Sequence, residues 1–291
     1  MFFCKQTIIG MMGLLASFCI SAACTSTADE YTSDFDSLNS SMFGVSLTGQ
    51  DNYYIPAGTS SVDFNVYDYT DNVLAINQNP NGGSRFIAGE GPGTGTFARA
   101  QRDLTFSSGV VDVMYDMAAL FTGVAPATNN IGSFSSRAGG GFGYIHLMTW
   151  QDTATATNFQ ADYIGFLADG TQMTFPTPGT GFDNLDLNHW YKFTTRLDFN
   201  TNKIVRTTIT DLTTGATFSE DLTDVYMVGG AMGGVAADGF RFFGGGGGAG
   251  NLTAWDNVSI LDVQPIPEPT GFAVICLAGL RLLANRRRRS H

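Results

Sequence analysis

Short runs of alternating or β-branched residues fill most of this 291-residue chain and constrain its fold more than any other feature. Clusters of glycine, asparagine, aspartate and threonine separate the runs, and no long segment repeats its apolar residues at the helical period. Alternation with a period of two is typical of strands with one buried face, and such clusters are typical of turns. The sequence therefore predicts an all-β protein built as an antiparallel β-sandwich.

The clearest strands are predicted between residues 189 and 221. Trp190–Phe199 ends at a turn of Asn200–Asn202, Lys203–Asp211 runs back, and Ala216–Asp221 follows a second turn. These three segments predict a meander. Further strands are predicted at Ser61–Tyr69, Val73–Asn77, Arg102–Phe106, Gly109–Met117, Gly143–Thr149, Tyr163–Leu167, Gly239–Gly244 and Leu252–Leu261.

The meander and the two ends of this region resemble concanavalin-A-like, laminin-G-type jelly rolls. Phe35–Leu38 is similar to the opening strand of that family, and Trp255–Ile260 is similar to its closing strand. The resemblance implies a jelly roll in which the two terminal strands lie close together. It also links the fold to carbohydrate, because several glycoside hydrolases share it.

A separate signal is predicted in residues 265–291. The segment begins with prolines, which prevent a helix there. An apolar run from Gly271 to Ala284 follows. The arginines after this run are expected to hold the end of the chain on the cytoplasmic side of the membrane. This order resembles the PEP-CTERM sorting signal of exopolysaccharide-producing Gram-negative bacteria, although Arg281 interrupts the apolar run. The resemblance implies processing by exosortase, a short transmembrane helix and a transient anchor in the inner membrane. The residues that carry it are Pro267, Glu268, Pro269, Arg286, Arg287, Arg288 and Arg289.

Residues 1–28 are predicted to be a signal peptide with a signal helix. Lys5 supplies positive charge, Thr7–Ala23 is apolar or small, and small residues fit cleavage after Ala23 or after Ala28. Cys24 leaves a second interpretation open, because residues 20–24 resemble a degenerate lipoprotein box in which this cysteine is lipidated. Either interpretation predicts export of residues 29–264, the ectodomain, to the cell envelope, the outer surface or the extracellular matrix.

The ectodomain is strongly acidic. It contains 22 Asp and 3 Glu against 2 Lys and 7 Arg, which gives a net charge of −16. Nucleic acid is excluded as a partner, because binding to phosphates needs a basic surface. Its stability is expected to come from core burial without a disulfide, because all the cysteines lie outside it: Cys4, Cys19, Cys24 and Cys276.

The ectodomain carries no recognisable catalytic constellation. Laminarinase-like retaining enzymes carry two glutamates around an aspartate on one strand, and Glu30, Glu90 and Glu220 form no such pattern. Asp112 and Asp116 lie four residues apart on one predicted strand and are interpreted as a solvated face. The protein is therefore predicted to be no enzyme, with a divergent polysaccharide hydrolase or lyase as the alternative.

The two ectodomain histidines are interpreted structurally. His146 is predicted to be a satisfied sheet residue, and His189 is predicted to lie at a turn or rim before a strand. Neither residue belongs to a zinc-ligand spacing or accompanies a nucleophile elbow.

Calcium is the one metal that the sequence suggests. It prefers six to eight oxygen ligands from carboxylates, amides and backbone carbonyls. Such oxygens occur near both ends of the ectodomain, and adjacent terminal strands would bring them together. The predicted structural calcium ligands are Asp34, Asp36, Asp256 and Asn257.

Exposed aromatic rings are the predicted means of binding sugar, because Tyr and Trp combine an apolar face with a polar tip. Alternation predicts that Tyr67 and Tyr69 share one face of a strand. We therefore expect a non-enzymatic polysaccharide-binding or matrix protein, with a purely structural matrix component as a further alternative. The candidate platforms are Tyr53, Tyr54, Tyr67, Tyr69 and Trp150.

Overall fold

The computed structural model describes most of the predicted ectodomain. The described residues are 31–57, 59–90, 96–106, 109–121, 130–137, 146–152, 158–176, 183–234, 237–245 and 251–263. The predicted signal peptide and sorting signal lie outside them. Within the described ranges, no helix is long and apolar enough to cross a membrane.

The regular secondary structure of the described chain is almost entirely β-strand. Two short 3-10 turns interrupt it, Tyr69–Asp71 and Gly230–Met232. The strands are β1 (Tyr31–Ser33), β2 (Val45–Ser46), β3 (Ser61–Val62), β4 (Asn65–Asp68), β5 (Arg85–Glu90), β6 (Phe97–Asp103), β7 (Val110–Phe121), β8 (Asn130–Arg137), β9 (His146–Asp152), β10 (Asn158–Phe166), β11 (Gln172–Pro176), β12 (Leu185–Asp186), β13 (Tyr191–Asp198), β14 (Lys203–Asp211), β15 (Thr217–Asp221), β16 (Gly239–Gly244) and β17 (Asn251–Asp262).

The strands form two sheets, and the prediction of an antiparallel β-sandwich is confirmed. The nine-stranded sheet has the order β15-β14-β13-β7-β17-β5-β4-β2, with β1 also paired to β17. The eight-stranded sheet has the order β11-β10-β9-β8-β16-β6-β3, with β12 also paired to β10. The described pairs are antiparallel except for β3 with β6. The sequence-adjacent strands β13, β14 and β15 pair in order, as the predicted meander requires.

The core lies between the sheets, where alternating residues of long strands meet. On β7, Val111, Val113 and Tyr115 are fully buried, because every second side chain of a strand points to the same face. The Tyr115 ring packs between aromatic rings of both sheets, 4.4 Å from the Phe134 centroid and 5.6 Å from the Phe193 centroid. Burial of such large rings is the main source of stability that this sandwich has.

The terminal strands lie side by side, as the jelly-roll resemblance implies. β1 pairs with β17, and Tyr31 lies opposite Ile260. The first strand of the structure, β1, lies before Phe35–Leu38. This segment, which was predicted to be the opening strand, forms a turn instead. Phe35 adopts a positive φ of 60° and is fully buried, so its ring reaches the core from outside a strand.

A covering segment, residues 69–84, packs on the outer face of the nine-stranded sheet. It buries Tyr69 and Ile76 against Ala118, Trp190 and Ala254 in a second apolar cluster. The predicted strand Val73–Asn77 is wrong, because these residues are irregular and Ala75 has a positive φ of 56°. Trp190 Nε1 donates to the carbonyl of Asn77 at 2.7 Å, which ties the segment to the sheet.

Candidate functional site

Most of the predicted sugar-binding aromatics are core residues. Tyr53 is buried between Phe35, Phe240 and Phe242, and Tyr67 and Tyr69 are buried in the second apolar cluster with Phe86 and Trp190. These three rings are not the exposed platforms that the sequence predicts, because alternation gives a residue's face but not what packs on that face. Trp150 lies on β9, opposite Gly132 and Ala161, and its side chain falls outside the described part of the structure.

Tyr54 is the predicted aromatic that the structure leaves partly exposed. Its backbone exchanges two hydrogen bonds with Gln101 of β6, each 2.9 Å long, which fixes the residue against the eight-stranded sheet. Its hydroxyl donates to Asp103 Oδ1 at 2.7 Å and accepts from Arg137 Nη2 at 3.2 Å. Desolvation and the hydrogen bond to Asp103 raise the pKa of Tyr54, so this phenol stays protonated at neutral pH.

Arg137 organises the polar groups around this tyrosine. Its side chain is 2% exposed and pairs with Asp103 and with Asp238, whose Oδ1 lies 3.3 Å from Nη1. With the Gln101 amide oxygen turned toward the guanidinium, that oxygen accepts from Nε at 3.0 Å and competes with Asp103 for the single proton of the Tyr54 hydroxyl, which lies 2.7 Å away. The side chains of Asp103 and Asp238 are 70% and 44% exposed, so this buried cation holds two carboxylates at the open rim of the sheet.

Gly239 of β16, the strand between β6 and β8, leaves room for the contact between Arg137 and Asp103. In register, Asp103 of β6 and Arg137 of β8 both lie opposite Gly239 of β16. A Cβ at Gly239 would lie 2.8 Å from Arg137 Nε and 2.5 Å from the carbonyl oxygen of Arg102. The guanidinium therefore crosses β16 where a side chain is missing, and we call Tyr54, Gln101, Asp103, Arg137 and Asp238 the Tyr54 site.

Polar side chains continue along the same face of the eight-stranded sheet. Arg241 Nε donates to Ser135 Oγ at 2.9 Å, and the Arg99 guanidinium lies 4.5 Å from the centroid of the Phe243 ring. Arg99 and Arg241 are buried, and burial lowers the pKa of Arg99. Sequence reasoning missed these groups, although alternation in Phe97–Asp103 places Arg99, Gln101 and Asp103 on one face.

A second polar site lies on the outer face of the other sheet, beneath the covering segment. Asp116 of β7 and Asp256 of β17 lie directly opposite each other and are fully buried. Asn79 Nδ2 donates to Oδ2 of both, at 2.9 Å and 3.2 Å, and the Tyr69 hydroxyl donates to Asp256 Oδ2 at 2.8 Å. Asn257 Nδ2 donates to Asp116 Oδ2 at 2.8 Å, and we call Asp116, Asp256, Asn79 and Asn257 the acidic pair site.

The interpretation of Asp112 and Asp116 as a solvated face is wrong for Asp116. The two share a face of β7, but the covering segment buries Asp116, whereas Asp112 pairs with Arg196 of the adjacent strand. Burial is the main cause that raises the pKa of Asp116, and burial together with the Asp116 charge raises that of Asp256 to about 7. Asp116 Oδ1 makes no hydrogen bond and lies 3.9 Å from Lys192 Nζ.

The structure brings together part of the predicted calcium set. Asp34 and Asn257 line one cavity of about 320 Å³, and Asp256 lies next to Asn257 in the acidic pair site. Asp36 is engaged elsewhere, because its Oδ1 accepts from the backbone N–H groups of Ser84 and Arg85 at 2.7 and 2.9 Å. Among the described residues, no three His, Cys, Asp or Glu side chains are close enough to hold a metal ion.

The histidines give no catalytic arrangement in the described part of the chain. His189 is partly exposed before β13, with Nδ1 4.0 Å from Asp186 and 3.9 Å from Asp211. This rim position agrees with its predicted role. His146 begins β9, and its side chain lies outside the described residues.

Comparison with known proteins gives similarity of fold at low identity. No family model matches the chain, and no curated protein matches it. Among solved structures, the cellulose-induced protein Cip1 is 16% identical, with coverage of 81% of this chain and 99% of that one and a TM-score of 0.49. An apo Crh5 transglycosylase is 16% identical over 82% and 86%, with a TM-score of 0.43. An alginate lyase from Pseudomonas aeruginosa is 9% identical over 61% and 83%, with a TM-score of 0.38. All three TM-scores lie below 0.5.

Proposed function

We propose that this protein is exported, is sorted by exosortase and binds polysaccharide through the Tyr54 site as a non-enzymatic component of the cell surface or matrix. The observation that supports polysaccharide binding is the contact of the partly exposed Tyr54 with Asp103 and Arg137, at the open rim of the eight-stranded sheet. The sorting half of the proposal is supported by the order of Pro267-Glu268-Pro269, the apolar run and the terminal arginines.

The groups of the Tyr54 site match the hydroxyl-rich surface of a sugar. Exposed carboxylates of Asp103 and Asp238 accept hydrogen bonds from hydroxyl groups, and the amide of Gln101 supplies a further polar group. The Tyr54 ring adds an apolar face for the ring of a sugar. Because Arg137 fixes both carboxylates before a ligand arrives, little side-chain freedom is lost on binding.

Hydrolysis is the alternative that two neighbouring carboxylates raise. A glycosidase needs one carboxyl group to deliver a proton to the leaving oxygen and a second to act on the other side of the bond. Asp103 Oδ1 accepts from both Tyr54 and Arg137, and Asp238 contacts the same guanidinium. Both carboxylates are thus arranged as acceptors around one cation, which favours binding over proton delivery.

A glycan array with the full chain in mild detergent tests the proposal. We expect binding to at least one polysaccharide without release of reducing ends, and we expect Tyr54→Ala to weaken it about tenfold. Phe43→Ala is the matched control, because Phe43 is an aromatic residue with 71% exposure outside the site. Release of reducing ends that Asp103→Asn abolishes would establish the enzyme instead. Absence of binding to every glycan would leave the purely structural matrix role.

We also propose that calcium binds at the acidic pair site, through a set of ligands that differs from the one predicted from the sequence. The acidic pair site offers a suitable donor set, because Asp116 Oδ1 is buried without a hydrogen bond and the amide groups of Asn79 and Asn257 can turn their oxygens inward. The carbonyl of Asn81, which accepts from Asn257 Nδ2 at 3.1 Å, is a further neighbouring oxygen. A calcium ion held there would fasten the covering segment to the sheet.

A further inference from the structure

Two arginines lie directly opposite each other on the outer face of the nine-stranded sheet. Arg196 of β13 pairs in register with Arg206 of β14, and the row continues to Asp112 of β7 on one side and Asp221 of β15 on the other. Like charges directly opposite each other on neighbouring strands are destabilising. Asp112 and Asp221 offset part of this repulsion, and an anion bound between the two arginines would offset more of it.

The two arginines are held differently. Asp112 binds Arg196 with two hydrogen bonds, from Nε at 2.8 Å and from Nη2 at 2.7 Å, so the charge of this carboxylate is largely compensated. Arg206 Nε lies 3.4 Å from Asp221 Oδ1, and both of these side chains are largely exposed, at 49% and 79%. Arg206 can therefore turn toward a ligand at little cost, while Arg196 is preorganised.

A cavity of about 230 Å³ lies at this point of the sheet. It is lined by Asp112, Thr194, Arg196, Arg206 and Thr208. Thr194 and Thr208 form the neighbouring cross-strand pair, so two hydroxyl groups accompany the two guanidinium groups. Guanidinium and hydroxyl donors together suit the oxygens of a carboxylate or a sulfate group.

We infer that this cavity, the Arg196–Arg206 subsite, binds the oxyanion of an acidic polysaccharide, a uronate carboxylate or a sulfate ester, between the two arginines. The inference rests on the proposed polysaccharide function but uses the opposite face of the sandwich from the Tyr54 site. An acidic glycan would otherwise be repelled by an ectodomain whose acids outnumber its bases, so the paired arginines give it a defined point of attachment.

The test measures the affinity of the full chain in mild detergent for a polyuronate, a sulfated galactan and a neutral β-glucan at low ionic strength. Arg206→Gln is the informative variant, because this exposed side chain contributes little to folding. We expect it to weaken binding of the polyuronate, the sulfated galactan or both about tenfold, and to leave the neutral glucan unchanged. Whichever acidic glycan responds identifies the oxyanion.

Lys203→Gln is the matched control. Lys203 is also a partly exposed cation on β14, and it pairs with Asp224 at 3.1 Å away from the subsite. Equal losses in Arg206→Gln and Lys203→Gln would overturn the inference in favour of general charge attraction, and so would an acidic glycan that is not bound at all. If an acidic glycan still binds to Tyr54→Ala but not to Arg206→Gln, the Arg196–Arg206 subsite is upheld even though the Tyr54 site fails. If the neutral glucan loses its binding in Tyr54→Ala, and Arg206→Gln changes the binding of no glycan, the Tyr54 site alone is upheld.

Discussion

The Arg137 guanidinium reaches Asp103 by passing over Gly239 of β16, the strand between them, because this glycine has no side chain to block the way. The three residues lie opposite one another in register on β8, β16 and β6. The guanidinium of Arg137 can thus hold a carboxylate two strands away, although the residues of the row are far apart in sequence. A glycine that weakens a strand in general is here required for the polar site.

We predict that Gly239→Ala lowers the free energy of unfolding by about 1–3 kcal/mol. Its Cβ would lie 2.5 Å from a backbone oxygen and 2.8 Å from Arg137 Nε, so both the strand and the guanidinium must move. Urea denaturation of the two proteins measures the loss, and glycan binding should fall with it. Gly234→Ala is the control, because a Cβ there meets no atom within 4 Å. Equal stability of both variants would contradict the crossing geometry.

The sequence predicts those parts of the fold that depend on local pattern. The meander of β13, β14 and β15 follows from alternation and two turn signals, and the closing segment Trp255–Ile260 lies within β17 as expected. The covering segment could not be predicted, because it is irregular and its contacts join residues distant in sequence. The burial of Asp116 by residues that precede it by more than thirty positions was therefore missed.

The candidate sites depend on register, which sequence patterns do not determine. Alternation places Arg99, Gln101 and Asp103 on one face, but only the pairing of β6, β16 and β8 places Arg137 beside Asp103. Tyr54 was predicted for its amphipathic ring, while its polar partners were not identified. In the same way, the opposition of Arg196 and Arg206 follows from how the meander pairs across its turn.

The acidic pair site predicts an unusual dependence of stability on pH. Burial, with the neighbouring Asp116 charge, raises the pKa of Asp256 from 3.8 to about 7 in the folded protein. The folded state therefore binds more protons than the unfolded state between about pH 4 and pH 7, and this group's contribution to stability falls as pH rises through that window. The loss is on the order of 4 kcal/mol if the whole shift is realised.

Comparison of Asp256→Asn with the unchanged protein isolates this contribution. We expect the variant, measured with a chelator present, to show a smaller decline in melting temperature between pH 4 and pH 7, because Asn cannot titrate while Asp116, whose pKa is also raised by burial, still does. Asp186→Asn, in which the replaced side chain is 65% exposed, should retain the full decline. A decline that is the same in Asp256→Asn would show that other groups cause the pH dependence.

Calcium is predicted to stabilise the protein most at high pH, where it no longer competes with the proton of the acidic pair site. At a free concentration one hundred times its dissociation constant, a bound ion adds about 2.7 kcal/mol. We expect millimolar calcium at pH 8 to raise the melting temperature, EDTA to reverse the effect and Asp116→Asn to remove it. If Asp34→Asn removes the effect and Asp116→Asn does not, the ion belongs to the originally predicted ligand set.

Deletion of residues 265–291 is predicted to convert a membrane-associated protein into a fully secreted one. The apolar run and the arginines that follow it are the part of the sequence expected to hold the chain in the inner membrane until exosortase acts. Cell fractionation measures the outcome, and replacement of Pro267, Glu268 and Pro269 by alanine separates recognition from anchoring, because the apolar run and the arginines remain. That variant should stay in the inner membrane, since it keeps its anchor but loses the motif. Retention of the deleted protein would contradict sorting by the tail unless Cys24→Ser releases it, and release by that substitution would identify a lipid anchor at the other end.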